Sequence, residues 1–316
     1  MQSKFLVSGL LVFSLFPSFG FSNSSSDPST TIVGGEKVEN LADPVYKHTV
    51  RLLVRVVVED TAENPEAIRG LKISSRCSGT LLDDDIVLTA AHCFPSVMPT
   101  RYQNKDITLK LDVAKMDVRV FSYYKVGRDY SGIKATRIVK HPDFDDLWYQ
   151  KLDPSELWNP SDPINDIAIL KLEYSTPLDK SPASFVNIVG EIEEAKSLTL
   201  AGFGRSESSN PLEAPQLRKV DVPFRGFLNN DHDFFAGEGD IEVPSEITDP
   251  KGGCFGDSGG PAYLVDSAGD HRVAGIIARG PNQKNGGCFA GVTILTDVSR
   301  YGDFVTTNLQ TLSESH

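Results

Sequence analysis

A histidine, an aspartate and a serine stand out in the chain because of the residues around them. His92 follows an apolar run and two alanines, Asp166 opens an apolar run, and Ser258 lies among glycines. A serine hydroxyl attacks a carbonyl readily only when a base takes its proton, and a carboxylate can orient an imidazole for that task. Each motif alone also fits a structural role, as a buried histidine, a capping aspartate or a glycine-rich turn. Nucleophilic catalysis is therefore predicted only if folding brings the three side chains together.

The serine motif has a second property that suits this chemistry. Its residues read Gly256-Asp257-Ser258-Gly259-Gly260-Pro261. Glycine adopts positive φ angles and leaves its N–H uncovered, so such a loop can direct backbone donors at one point. Two such donors would stabilise the negative charge that develops on a carbonyl oxygen under attack.

Composition excludes several other classes of function. The chain has 316 residues, is 40% hydrophobic, and carries a formal net charge of -12 with its basic residues dispersed. We therefore predict no nucleic-acid partner and no attraction to anionic membranes. None of the four cysteines has the short spacing of a zinc site, and neither a metal nor a cofactor is predicted.

The first residues are typical of an exported protein. Lys4 precedes an apolar stretch that ends at Pro17, and small residues follow it. This stretch is too short to span a bilayer, so residues 1–20 are predicted to be a cleaved signal peptide that leaves no membrane anchor. Residues 21–31 are polar and are predicted to be a pro-segment. We expect a secreted protein, extracellular or periplasmic, in which disulfides persist.

The remainder of the chain reads as an all-β protein. Short β-type runs separated by turn residues are the pattern of antiparallel barrels or sandwiches. One helix is predicted, at about 299–311. The many β-type runs include residues 49–58, 86–88, 167–172, 197–201 and 273–277.

Taken together, four segments resemble the signature motifs of the chymotrypsin/trypsin-like serine proteases, in the order of that family. They are Ile32-Val33-Gly34-Gly35, Ala90-Ala91-His92-Cys93, Asp166 with its apolar run, and the glycine-rich loop around Ser258. The resemblance implies two six-stranded antiparallel β-barrels with the active site in the cleft between them. It places the peptidase domain at 32–316, barrel one at about 32–180, barrel two at about 181–298, and the C-terminal helix after them.

The resemblance also implies roles for individual residues. Ser258 is the expected nucleophile, His92 the general base and Asp166 the residue that orients the base. The backbone N–H groups of Gly256 and Ser258 are the expected oxyanion hole. The implied activity is that of a serine endopeptidase acting on protein or peptide substrates through an acyl-enzyme.

Activation is expected to follow the family's zymogen mechanism. Cleavage before Ile32 would free an α-amino group that pairs with Asp257, because burying both charges is costly unless they pair. The chain departs from the family at Thr31, where the family usually has Arg or Lys. An activating protease is thus a possible partner, but a trypsin-like activator is not expected to cut this bond.

Two further features are implied by the resemblance. The disulfides are expected to join Cys77 to Cys93 and Cys254 to Cys288, although four cysteines allow three connectivities. The primary specificity pocket is expected to have Gly252 at its base and two glycines in its walls, Gly280 and Gly291. An open, uncharged pocket favours a large apolar side chain over Arg or Lys.

Residues beside the expected pocket leave the substrate preference open, and two other functions also fit parts of the sequence. Ala278, Arg279 and Thr293 replace residues usual in the family, and these changes could alter how the substrate backbone is held. The glycine-rich loop also fits the Gly-x-Ser-x-Gly elbow of an esterase, but that fold orders its triad serine, acid, histidine. A catalytically inactive binding module is the second alternative.

Overall fold

A computed structural model describes residues 32–122, 132–151, 160, 162–177, 179–204, 216–237, 251–280 and 291–314. Within these ranges the chain forms sixteen strands and three α-helices, linked by short 3-10 turns. The helices are α1 (Pro44–His48), α2 (Trp148–Lys151) and α3 (Gly302–Ser313). The strands are β1 (Glu36–Lys37), β2 (Thr49–Val58), β3 (Lys72–Asp83), β4 (Ile86–Thr89), β5 (Val97–Tyr102), β6 (Lys105–Phe121), β7 (Ile133–Lys140), β8 (Ala168–Leu172), β9 (Ser184–Phe185), β10 (Leu198–Gly202), β11 (Arg218–Val222), β12 (Phe224–Phe227), β13 (Asp233–Ala236), β14 (Pro261–Val265), β15 (His271–Arg279) and β16 (Thr293–Asp297).

The first sheet closes into a six-stranded barrel. Its strands run in the order β2-β3-β4-β8-β7-β6, and β6 pairs back with β2 to complete the circle, while β5 extends from β6. Residues along β2 alternate between full and partial burial, the period expected of a strand with one face in the core. By contrast, β4 and β8 are buried at every position. These two central strands carry the histidine and aspartate motifs at their ends.

The second sheet returns on itself through one bent segment. Its path runs β11-β10-β14-β15-β16-β13-β12, and only Pro223 separates β11 from β12. Proline lacks the N–H that a continuous ladder needs, so a break at this position is expected. Counting β11 and β12 as one bent strand gives six strands, to which the two-residue strands β1 and β9 add short pairings. The predicted all-β fold of two antiparallel barrels followed by a helix is confirmed.

Each end of the described chain packs against the barrel that is distant in sequence. β1 pairs with β11 of the second sheet, although the resemblance places the first residues in barrel one. At the other end, α3 follows a 3-10 turn at Val298–Tyr301 and buries Val305 and Leu312 in the core of the first barrel. The helix predicted at 299–311 thus begins three residues later, because the 3-10 turn precedes it. The domain boundaries themselves stay a prediction.

Candidate active site

His92 and Asp166 project from the same edge of the first barrel. His92 lies in a 3-10 turn directly after β4, and Asp166 lies two residues before β8 begins. The two strands pair with Thr89 opposite Ala168, so both side chains emerge at the same ends of neighbouring strands. Ala90 is fully buried, and its small side chain lets the chain turn closely at this edge.

The Asp166 carboxylate contacts His92 through both of its oxygens. Oδ2 lies 2.6 Å from Nδ1 of the imidazole, and Oδ1 accepts a hydrogen bond of 2.8 Å from the His92 backbone N–H. Burial by itself lowers the pKa of His92, but the charge of Asp166 and its hydrogen bond outweigh that effect and raise the pKa above its ordinary value. With Nδ1–H facing the carboxylate, Nε2 is the nitrogen able to accept a proton.

Asn165 forms a hydrogen-bonded turn directly before the aspartate, a feature that the sequence did not suggest. Its backbone has φ of 58°, in the left-handed region that asparagine tolerates better than most residues. The Tyr301 hydroxyl donates a hydrogen bond of 3.1 Å to its side-chain oxygen. The Asn165 carbonyl also accepts a bond from Ile167 N–H. The Asn-Asp pair at the start of an apolar run was the only sequence signal for this turn.

The loop that carries Ser258 docks against the end of β4. A Cβ on Gly259 would lie 2.1 Å from Thr89 Oγ1, so only glycine permits this approach. The carbonyl oxygen of Ser258 lies 3.9 Å from Sγ of Cys93, the residue after His92. Folding thus brings the serine loop to the histidine turn. Within the described part of the chain, no hydrogen bond joins the Ser258 hydroxyl to the imidazole.

Two backbone donors of this loop have no acceptor in the part of the chain that the structure describes. Gly256 has φ of 98°, a conformation that favours glycine. Among the described ranges, neither the N–H of Gly256 nor that of Ser258 donates a recorded hydrogen bond. Between them, the N–H of Asp257 bonds to the Cys254 carbonyl at 3.0 Å. The loop therefore has the two free donors that an oxyanion hole needs.

Asp257 points away from this surface into the protein. Its side chain is fully buried and accepts hydrogen bonds from Gly204 N–H at 2.7 Å and Cys254 N–H at 2.9 Å. Burial raises the pKa of Asp257 to about 7, although both hydrogen bonds oppose that shift. In the described structure, no cationic side chain pairs with this carboxylate.

Ile32 lies in the second barrel. Its side chain is fully buried in the apolar core there, and the next residue, Val33, forms a β-bridge with Gly252. An ion pair between Ile32 and Asp257 is not present among the described residues, so that pairing stays a prediction.

A comparison with known protein families shows to which family the chain belongs. A model of the trypsin family matches residues 56–305, most of the chain. The chain belongs to the trypsin family.

Individual relatives of this trypsin-family chain are distant but cover much of it. Cathepsin G of Mus musculus is 26% identical over 264 residues, which are 82% of this chain and 80% of the relative. Trypsin alpha-4 of Lucilia cuprina is 28% identical over 66% of this chain and 68% of its own. Serine proteinase stubble of Drosophila melanogaster is 26% identical over 67% of this chain. The matched part is 24% of that longer protein.

Family membership establishes the class of reaction. The trypsin-family protein is a serine-type endopeptidase, a hydrolase whose substrates are proteins or peptides. Proteases of this family are typically secreted. No helix in the described ranges has the length and apolar character needed to cross a bilayer.

The three glycines that the resemblance implies for the specificity pocket lie near the adjoining ends of β15 and β16. A Cβ on Gly252 would lie 2.8 Å from Thr293 Oγ1 and 3.6 Å from the Gly291 carbonyl carbon. Thr293 Oγ1 also accepts a bond of 2.8 Å from Gly253 N–H. Gly280 directly follows β15, and Gly291 precedes the paired strand β16 by two residues. The structure therefore groups Gly252 with Gly291 and leaves Gly280 at the adjacent strand end.

Arg279 gives this trypsin-family site a buried charge. Its side chain is 3% exposed and donates a hydrogen bond of 2.8 Å to Oδ2 of the fully buried Asp233. The guanidinium also lies 5.4 Å from the ring centre of Trp148, and its positive charge acts to lower the pKa of His92. The sequence identified Arg279 only as a departure from the family, because its partner Asp233 is distant in the chain.

One of the two expected disulfides is present in the described structure. Cys77 on β3 is bonded to Cys93 in the histidine turn, which confirms that pairing. Cys254 is buried beside the serine loop, but Cys288 lies outside the described residues, so their pairing stays a prediction. The sulfurs of Cys77 and Cys93 lie close to a His92 nitrogen, as metal ligands would. Since the sulfurs are bonded to each other, they are not thiolate ligands.

Proposed function

We propose that this endopeptidase cleaves peptide bonds through an acyl-enzyme on Ser258, with His92 as general base and Asp166 as the residue that orients it. The observation that carries the proposal is the pair of hydrogen bonds between His92 and Asp166, at the strand ends against which the Ser258 loop docks. The pair supplies a base with a fixed Nδ1–H, and the loop supplies the hydroxyl.

In the proposed reaction, His92 Nε2 takes the hydroxyl proton while Ser258 Oγ forms a bond to the scissile carbonyl carbon. The carbonyl oxygen becomes an oxyanion that accepts hydrogen bonds from the N–H groups of Gly256 and Ser258. The imidazolium then gives its proton to the leaving amine as the C–N bond breaks. Water, activated by the same imidazole, hydrolyses the acyl-enzyme and restores the serine hydroxyl.

The test compares Ser258→Ala with Ser267→Ala, which changes an exposed serine in the turn after β14. We expect Ser258→Ala to lower kcat by about 10⁶-fold on a peptide substrate and to abolish labelling by a serine-directed phosphonate. Ser267→Ala should keep both. Wild-type turnover by Ser258→Ala would contradict the assignment, and a wild-type protein that begins at Ile32 but stays unlabelled and inactive would favour a binding module.

We further propose that the protein is made as a secreted zymogen. The signal peptide would be residues 1–20, the pro-segment residues 21–31, and cleavage before Ile32 would free the amino group that pairs with Asp257. The buried position of Ile32 supports this, as does the buried carboxylate of Asp257, which has no cationic partner among the described residues. N-terminal sequencing of the active protein should begin at Ile32, and any other start would overturn the activation model. The activating protease is expected to accept Thr31.

For specificity, we propose a preference for large apolar residues before the scissile bond. Support comes from the glycines at 252, 280 and 291 and from the absence of an acidic residue at position 252. Profiling with a peptide library should give Phe, Tyr or Leu as the preferred residues. Preference for Arg or Lys would contradict the proposal, and preference for an acidic residue would instead point to Arg279.

A further inference from the structure

Ser78 connects the first barrel to the loop of the proposed nucleophile. It lies on β3 next to the disulfide residue Cys77 and is fully buried. Its hydroxyl accepts a hydrogen bond of 2.9 Å from Phe203 N–H and donates one of 3.0 Å to the Gly256 carbonyl. Its backbone N–H donates a bond of 2.8 Å to the Ser258 carbonyl. One residue therefore bonds to the loop at two carbonyls.

The carbonyl of Gly256 that Ser78 binds belongs to the peptide that joins the two expected oxyanion-hole donors. The Gly256–Asp257 peptide lies between the two free donors, the N–H of Gly256 and the N–H of Ser258. Its carbonyl is held by Ser78, and its N–H is held by the Cys254 carbonyl. The torsion angles on either side of this peptide, ψ of Gly256 and φ of Asp257, set the angle between the two donors. Such donors stabilise an oxyanion only when both are aimed at the same point beforehand.

Glycine makes this peptide easy to turn. Gly256 has φ of 98° and no side chain that packing could hold. Among the described residues, the Ser78 hydroxyl donates the hydrogen bond to its carbonyl. Without that hydroxyl, the Gly256 carbonyl would have no hydrogen-bond donor among the described residues, and the peptide would be held only at its other end, by the bond from Asp257 N–H to the Cys254 carbonyl. Ser78 therefore supplies one of the two bonds that fix the orientation of this peptide.

We propose that Ser78 is a positioning residue for the oxyanion hole: its hydroxyl fixes the Gly256–Asp257 peptide and thereby aligns the N–H groups of Gly256 and Ser258. This inference rests on the proposed function, since it concerns the same reaction. Ser78 does not touch the substrate. Its effect is exerted on the transition state, in which the oxyanion forms, more than on substrate binding.

If Ser78 had only a structural role, its substitution would lower stability without a specific loss of kcat. The chain offers a matched control for this distinction. Thr49 Oγ1 and the Tyr263 hydroxyl form another buried hydrogen bond between a strand of the first barrel and a strand of the second, at 3.1 Å. This bond does not involve the serine loop. Thr49→Val therefore removes a comparable link between the barrels without altering the donors.

The experiment compares wild type, Ser78→Ala, Thr49→Val and Ser258→Ala, all in the form that begins at Ile32. A phosphonate counts the active sites of the first three proteins, and Ser258→Ala, which it does not label, is matched by protein concentration. For Ser78→Ala we expect kcat to fall about 10- to 100-fold while KM changes less than about 3-fold. Affinity for a peptide aldehyde, which forms an oxyanion adduct, should fall by a similar factor to kcat. Affinity for the corresponding peptide alcohol, which cannot form that adduct, should stay within about 3-fold of wild type.

Thermal unfolding of each variant separates positioning from folding. Thr49→Val should lose thermal stability to a similar degree as Ser78→Ala but keep kcat within about 2-fold of wild type. Equal losses of kcat in both variants would overturn the proposal, as would an unchanged aldehyde affinity in Ser78→Ala. If Ser258→Ala kept wild-type turnover, the proposed function would fail and the role of Ser78 with it. An inactive Ser258→Ala beside an unimpaired Ser78→Ala would overturn only the positioning role.

Discussion

At the scale of single residues, the contact between His92 and Asp166 combines orientation with charge. The carboxylate bonds to Nδ1 and to the backbone N–H of the same histidine, so the imidazole cannot rotate without losing a bond. The same charge stabilises the protonated ring and raises its pKa. A base with a raised pKa accepts a proton readily, but it is already protonated in mildly acidic solution.

This balance predicts the pH dependence of the enzyme. Because only neutral His92 acts as base, kcat/KM should fall as pH decreases through a pKa above 6.5, the ordinary value of histidine. Asp166→Asn should lower that pKa and reduce kcat by about 10⁴-fold. The measurement is the pH profile of kcat/KM for both proteins.

The control for this profile is Asp146→Asn. Asp146 also raises the pKa of His92 through its charge, but it bonds to Lys140 and Ser96 and not to the imidazole. A small shift of the profile with kcat close to wild type is expected. An Asp166→Asn profile that superimposes on the wild-type profile would rule out the assigned role.

Residues of the site differ in how far the sequence predicts them. His92, Asp166 and Ser258 are identified because each lies in a local motif whose residue types suggest a reaction. Asn165 and Ser78 are not, since their roles consist of bonds to partners far along the chain, Tyr301 for the one and Gly256 for the other. A polar residue in a turn or strand carries no local sign of such a partner.

At the scale of elements, strands are predicted better than short helices. The run at 49–58 coincides with β2, and that at 86–88 lies within β4. These segments are apolar or alternate, so burial alone determines their structure. The helices α1 and α2 are too short to show a helical period. For α1 the available signal was Asp43, whose side chain caps the helix, followed by Pro44 at its first position.

The docking of the serine loop on β4 depends on a glycine, which gives a prediction. Gly259 has φ of 78°, and a Cβ there would lie 2.1 Å from Thr89 Oγ1 and 2.5 Å from the Ser78 carbonyl oxygen. We expect Gly259→Ala to push the loop off the strand, destabilise the protein by about 3 kcal/mol or more, and abolish turnover. Chemical denaturation and peptide hydrolysis are the measurements.

Gly269→Ala isolates the backbone contribution to this effect. Gly269 has φ of 88° but no atom within 4 Å of its added Cβ. This variant should lose only about 1 kcal/mol and keep full activity. If Gly259→Ala behaved like Gly269→Ala, the close approach of the loop to Thr89 would not matter for the site.

At the scale of the whole molecule, the two ends of the described chain connect the barrels. β1 pairs on the second sheet before the chain enters the first, and α3 buries its apolar face against the first barrel after the chain leaves the second. Composition and periodicity predict an all-β fold but not these exchanges, because pairing between distant segments leaves no local pattern. The number of barrels and the cleft between them came from the family resemblance.

The buried carboxyl of Asp257 gains a new partner in the proposed activation, which links activation to the stability of the whole molecule. In the uncut chain, burial raises the pKa of Asp257 to about 7, above its value of 3.8 in the unfolded state. Between these two pH values the folded protein binds a proton that the unfolded protein releases. The free energy of unfolding should therefore fall as pH rises from about 4 to 7, by no more than about 4 kcal/mol.

Cleavage before Ile32 should remove this decrease in the free energy of unfolding, because an amino group paired with Asp257 would lower the pKa of the carboxyl. The measurement is urea unfolding between pH 4 and 8 for the uncut protein and for the form that begins at Ile32. Asp257→Asn in the uncut chain serves as control. It lacks the titrating carboxyl, so its free energy of unfolding should change with pH only through the other groups. Equal slopes for the cut and uncut wild-type proteins would mean that no amino group reaches Asp257. The carboxylate would then be held by Gly204 and Cys254 in both forms, and activation would need another cause.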